Sequence, residues 1–231
     1  MLPRRAVLLD ALGVLLELEP PAPLLRAELA ARGVVITEEE AHTALRAEIA
    51  YYRAHHDEAS DVERLEELRD RCAAVLDAAL PPHARGLADL RAALLASLRF
   101  RPYPEVPAAL AALRDGGGTR LVVVSNWDVS LHGVLADTGL APLVDAAISS
   151  AECGAGKPAP AIFARALELA GGVAPGAALH AGDTVAADVE GARAAGILPV
   201  LVARDGTAAP PGVAVLEDLR GLPALAAAYL P

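Results

Sequence analysis

Apolar and polar positions along the chain follow two rhythms. Residues 5–10, RAVLLD, form a short apolar run ending on an acid, the pattern of a buried parallel strand that reaches a turn. From about Pro20 to Leu98 the apolar positions recur at helical spacing instead, with no strand-like run among them. PAPLLRAELAARG carries Pro near its start and Gly33 at its end, the asymmetry of a helix. ITEEEAHTALRAEIAYYRAHH opens on Thr37 with Glu40 three residues later, a capping box. SDVERLEELRDRCAAVLDAAL, closed by Pro81 and Pro82, and ARGLADLRAALLASL complete four predicted helices.

After RFRPYPEV the rhythm changes to alternation. PEVPAALAALRDGGG reads as a helix stopped by glycines, RLVVVSN as a β-branched strand, VSLHGVLADTGL as a helix and VDAAISS as a strand. APAIFARALELAGG, AADVEGARAAG and LEDLRGLPALAAAYL read as helices, AALHAGD and LPVLVA as strands. Repeated strand–helix units predict an α/β fold, a Rossmann-like parallel sheet core covered on both faces, with an inserted α-helical domain. The expected boundaries are residues 1–15 and 99–231 for the core and 16–98 for the insertion.

In such sheets ligands bind beyond the carboxyl ends of the strands. Asp10, the pair Ser125 and Asn126, and Asp183 all fall at predicted strand ends; Asp188 follows five residues after Asp183, and Lys157 lies in the loop GAGKPAP. Singly, each is an ordinary cap, turn or solvated residue. Together they outline a site. A carboxylate can attack an electrophilic centre and form an intermediate that water cleaves. A hydroxyl and a lysine can hold the transferred group's oxygens, and paired carboxylates suit Mg²⁺.

The segments VLLDALGVLL, VVVSNWD, GKPAPAIF and HAGDTVAADVEGARAAG, in this order, resemble the motifs of the haloacid dehalogenase-like hydrolase superfamily over nearly the full chain. That resemblance implies a helical cap of the type inserted after the first motif. It implies Asp10 as nucleophile, Ser125 and Asn126 as binders of the transferred group, and Lys157 as the balancing charge. It also implies Asp183 as a metal ligand, with Asp188 beside it and the Leu12 carbonyl as a further ligand to Mg²⁺.

One position departs from the pattern. Phosphatases of the superfamily read Asp-x-Asp-Gly-Thr where this chain has Asp10, Ala11, Leu12, Gly13 and Val14. The second acid protonates the leaving oxygen and later activates water, and a leucine does neither; loss of such a group costs about 10²–10⁴ in rate. Three readings follow. The chain acts on substrates whose leaving group needs little protonation, or takes an acid from His55, His56 or Asp57. It follows the dehalogenase branch, with Arg46 or Arg53 cradling the halide, although GDTVAAD looks like the metal-binding form of its motif. Or it is a catalytically impaired binder of a phosphorylated ligand or a partner. Trp127, next to the group-binding pair, either lines the site mouth or packs in the core. Asp128 either supplies the missing acid from the second strand motif or, the favoured reading, caps the helix that follows.

Composition narrows the setting. A formal charge of −10 with mixed signs and no basic run argues against a nucleic-acid partner. Cys72 and Cys153 lack metal or disulfide spacing and read as reduced thiols of a cytoplasmic protein. Arg4 and Arg5 before the apolar run imitate a secretory leader, but Asp10 interrupts that run and no small-residue cleavage pattern follows. No uncharged run is long enough to span a bilayer, so no membrane partner is expected. A small-molecule substrate is expected; the sequence does not speak to oligomeric state.

Overall fold

The central strand is β1 (Arg5–Leu9), whose residues from Ala6 to Leu9 are wholly buried. The computed structural model describes residues 5–115 and 117–230; Arg4 and Gly116, the first of the three glycines after the PEVPAALAALRD helix, lie outside them. The chain divides into two compact units, Met1–Glu17 with Pro102–Pro231, and Leu18–Arg101.

The first unit is built on six parallel strands. β1 pairs with β4 (Thr119–Ser125) on one side and β6 (Ala178–Gly182) on the other. β5 (Ala146–Ser149) extends the β4 side, and β7 (Leu198–Val202) and β8 (Ala214–Leu216) extend the β6 side. The expected α/β, Rossmann-like parallel sheet is therefore present. β1, β4 and β6 are near-continuous apolar runs because both faces of a parallel sheet are covered. Ala6, Leu8, Val122 and Val124 pack against Ile162, Phe163 and Ala166 of helix α8 (Pro160–Leu169). Alternate residues Val7, Leu9, Leu121 and Val123 point the other way, and α5 (Val106–Asp115) contacts β4 and α10 (Leu222–Tyr229).

The second unit packs α1 (Pro21–Ala30) on α2 (Glu38–His55) and α4 (Leu90–Ser97), and α3 (Val62–Ala79) on α2 and α4. The Thr37–Glu40 capping box forms in both directions. Leu45, Leu65, Leu68 and Leu76 are among its buried residues. So is Glu48, whose carboxyl is pushed above the usual range by burial, partly offset by a hydrogen bond with Cys72.

Several elements differ from the sequence expectation. β2 (Leu16–Leu18) and β3 (Phe100–Pro102) form a separate two-stranded sheet, and β8 adds an edge strand; at three residues each, none shows a readable alternation. VSLHGVLADTGL gives only the short α6 (Leu131–Asp137). VDAAISS passes from β5 into α7 (Ser150–Cys153), started by a Ser149–Glu152 capping box. AADVEGARAAG begins as a π-helical turn, Val185–Val189, before α9 (Glu190–Ala194).

Candidate functional site

Winding reverses direction at β1, and Asp10 follows it directly, its N–H donating to the Ala181 carbonyl at 3.0 Å. One carboxylate oxygen, Oδ1, accepts from the Ala11 N–H (2.8 Å), Ser125 Oγ (2.7 Å) and Lys157 Nζ (2.8 Å). Although it stands at the end of its strand, Asp10 is only 8% exposed. The donors that close around Oδ1 replace the water an exposed carboxylate would have.

Lys157 is the hub. Its ammonium lies 2.6 Å from Asp188 Oδ1 as well as touching Asp10. Burial alone would push the Lys157 ammonium down, but the two carboxylates outweigh it and its pKa is raised. Asp188 Oδ1 also accepts from His180 Nε2 (2.9 Å), while Oδ2 accepts from the Thr184 N–H (2.9 Å) and Oγ1 (2.6 Å). Burial would lift the Asp188 carboxyl; Lys157 and His180 outweigh it and hold it well below the usual range. Asn126 clamps the same lysine from behind: its Nδ2 donates to the Lys157 carbonyl (2.9 Å) and its Oδ1 accepts from the Lys157 N–H (2.7 Å). Both ends of the Asn126 side chain are thus engaged with backbone, and Ser125 Oγ is engaged with Asp10.

Asp183 completes the group. Carboxylate oxygens of Asp10, Asp183 and Asp188 lie within 4.8 Å of one another. Burial, then the charges of Asp10 and Asp188, push the Asp183 carboxyl up to about 7. Two glycines make the crowding possible. Gly13 has φ +80, and a Cβ there would fall 2.0 Å from Asp183 Oδ2. At Gly182 a Cβ would fall 2.1 Å from Asp188 Cγ. An all-oxygen donor set crowded by three neighbouring acids fits Mg²⁺, a hard cation that would relieve the repulsion among them. Asp188 already accepts four hydrogen bonds, about what a carboxylate's lone pairs accommodate. Asp10 Oδ2 and Asp183 are the less encumbered oxygens.

Leu12 sits on this loop with 37% of its surface exposed, an apolar side chain at the position of the second motif acid. Val14 is buried. Trp127 is buried too: its indole N–H donates to Ser130 Oγ (3.3 Å) and its backbone N–H to Ser150 Oγ (3.1 Å). Asp128 Oδ1 accepts from the Ser130 N–H (2.6 Å), two residues on. It therefore closes the turn before α6 rather than capping the helix itself.

In the helical unit, His55 stacks on Tyr51 and bonds its carbonyl, while Asp57 and Arg53 are exposed. His56 lies beside Asp57, and Arg46 bonds Thr43 on its own helix.

Sequence reasoning missed His180, Thr184 and Arg204. His180 carried a signal, a polar side chain in the otherwise apolar strand AALHAG. Thr184 needs the π turn to reach Asp188. Arg204, in a loop, carried none.

Residues 4–196 match the family model described as haloacid dehalogenase-like hydrolase. Over 85 residues the chain is 42% identical to human haloacid dehalogenase-like hydrolase domain-containing protein 3, covering 37% of this chain and 34% of that protein. Over 124 residues it is 38% identical to a phosphoserine phosphatase of Thermus thermophilus, covering 54% and 49%. The chain thus spans about a third to a half of the length of these relatives. Its fold also resembles that of the L-2-haloacid dehalogenase of Xanthobacter autotrophicus, with a TM-score of 0.69 at 24% identity over 97% of this chain and 98% of that one. Among the described residues no helix is long and apolar enough to cross a membrane.

Proposed function

Since the chain belongs to the haloacid dehalogenase-like hydrolase family, we propose that it is a Mg²⁺-dependent hydrolase acting on a small phosphorylated metabolite through a covalent intermediate on Asp10. The observation that carries this reading is the ammonium of Lys157 seated between Asp10 and Asp188, with Asp183 within 4.8 Å. Such an arrangement pairs the attacking carboxylate with a cation at a largely buried position. The activity of the Thermus relative, a phosphatase, supports the substrate class.

In this reading one oxygen of the Asp10 carboxylate attacks phosphorus while Ala11, Ser125 and Lys157 hold the carboxylate in place. The phosphorus–oxygen bond to the leaving group breaks, and water then attacks the aspartyl phosphate and releases inorganic phosphate. Lys157 offsets negative charge as it develops, Ser125 orients the attacking carboxylate, and Asn126 acts by fixing the Lys157 backbone. Trp127 helps wall the site. Asp10 and Asp183 would hold the ion, with Asp188 beside them and the Leu12 carbonyl as a further donor. The bound cation would neutralise charge on the phosphoryl oxygens. With Leu12 in place of an acid, the favoured substrates are those whose leaving oxygen needs little protonation, such as aryl or acyl phosphates. The helical unit would serve as a cap that sets specificity, and Cys72 and Cys153, joined in no disulfide, suit a cytoplasmic setting.

The test is turnover of an aryl phosphate with and without Mg²⁺, in wild type and Asp10→Asn. Metal-dependent turnover lost in Asp10→Asn supports the reading; turnover that survives Asp10→Asn ends it. A second reading, 2-haloacid hydrolysis, draws on the missing acid, since halide departs without a proton. Halide release without added metal would favour it.

A further inference from the structure

We propose that Arg204 is a positioning residue that holds the Asp10 loop against Asp183, an inference that rests on Asp10 being the nucleophile. Arg204 lies two residues beyond β7. Its Nε donates to the Gly13 carbonyl (3.0 Å) and its Nη2 to the Val14 carbonyl (2.9 Å). The same Nη2 reaches Glu105 Oε1 at 2.6 Å, and the guanidinium carbon stands 3.5 Å from the centroid of the Tyr103 ring. The Tyr103 N–H in turn donates to the Leu15 carbonyl (3.1 Å). Three successive carbonyls after Leu12 are therefore held from outside the loop, two by Arg204 and one by the residue on which Arg204 stacks. All of these residues belong to one compact unit.

The grip falls where the loop is most constrained. Gly13 has a left-handed backbone and lies so close to Asp183 that even a methyl group would collide with its carboxylate. The peptide group that Arg204 holds thus carries the spacing between the Asp10 loop and Asp183. A planar guanidinium can serve three acceptors and a ring face together; an ammonium cannot. Glu105 keeps the fork oriented, its side chain only 8% exposed. Arg204 touches none of the proposed reacting atoms, so its effect passes through the loop.

The experiment compares wild type with Arg204→Lys and Arg204→Met, using amide hydrogen exchange of residues 11–16 by mass spectrometry, Mg²⁺ affinity by calorimetry, and kcat and KM. The expected result is exchange in 11–16 faster by about tenfold in both variants while β4 and β6 stay protected. Mg²⁺ affinity should weaken by about threefold to tenfold, and kcat should fall by about tenfold or more with KM nearly unchanged, as misplacement of a reacting group does. Glu105→Gln, which keeps the shape and removes the charge, should move the same segment in the same direction. If Arg204→Met does not fold, Arg204→Lys carries the comparison. Unchanged exchange in 11–16 in a folded Arg204 variant overturns the proposal. If exchange rises as expected but wild-type turnover does not depend on Asp10, the loop brace stands and the nucleophile assignment fails.

Discussion

Lys157 Nζ and Asp188 Oδ1 stand 2.6 Å apart with both side chains at most 2% exposed. Removing Lys157 leaves two largely buried carboxylates, Asp10 and Asp188, without the cation they share. Lys157→Met should therefore cost about 3–5 kcal/mol, the penalty for an uncompensated buried charge. The double variant Lys157→Met with Asp188→Asn should recover part of that loss, because the orphaned carboxylate is gone. Urea midpoints of four proteins, wild type, Lys157→Met, Asp188→Asn and the double variant, measure the coupling, and strictly additive losses would contradict it.

Asp183 gives stability a pH dependence. With its pKa raised from 3.8 to about 7, the native state binds a proton that the unfolded chain has released. Stability without metal must then fall as pH rises through that interval, and level off above about 7. At this partly exposed group, solvent screening leaves a loss of about 1–2 kcal/mol. Denaturation in chelator at pH 5 and pH 8 should show a steeper decline for wild type than for Asp183→Asn. Added Mg²⁺ should restore wild type at pH 8 and leave the variant largely unaffected.

In the helical unit, Glu48 follows the same sign with different chemistry, since burial rather than neighbouring acids lifts its carboxyl. The native state again holds the extra proton, so stability falls as pH rises above the ordinary carboxylate range. Glu48→Gln keeps the shape and the Cys72 neighbour without the charge. It should raise the thermal midpoint more at pH 8 than at pH 5; an equal shift at both would mean Glu48 is ionised throughout.

Two glycines separate close approach from mere flexibility. Gly182→Ala drives a methyl into Asp188 and should destabilise by about 2 kcal/mol or more. Gly133, in α6, would have nothing within 4 Å of an added methyl, and should accept alanine with a gain of about 0.5–1 kcal/mol. Chemical denaturation of both variants checks the contrast.

Leu12→Asp restores an acid where the loop exposes a side chain, and should raise turnover of an alkyl phosphate by about 10²-fold or more. Aryl phosphate turnover should rise less, because its leaving group needs the proton less. Equal gains on both would show that protonation does not limit the reaction.

Legibility in the sequence tracked how local each signal was. Asp10, Ser125 and Asp183 stood out because a parallel strand ends its apolar run where its site residue begins, and the structure brings their side chains together with Lys157. The same pattern could not say that Asn126 turns back on the Lys157 backbone, since that depends on a loop 31 residues away. His180 was hidden by its setting, as one polar residue in a buried strand reads as tolerated rather than employed. Thr184 and Asp188 meet through a π turn, which differs from an α-helix by a single residue of hydrogen-bond spacing. Arg204 reaches loop carbonyls 190 and 191 residues earlier in the chain, a relation no local pattern encodes.

The place of β1 in the sheet also bears on how the chain is made. β1 comes before both strands that flank it, and those begin at Thr119 and Ala178. On a ribosome its apolar face must wait, unpaired, while all four helices of the Leu18–Arg101 unit are synthesised. That unit closes on local contacts and can form early, whereas the sheet needs long loop closures before its first pairing can form. Slow translation between residues 101 and 178 would prolong the time the apolar RAVLL segment waits for its partners.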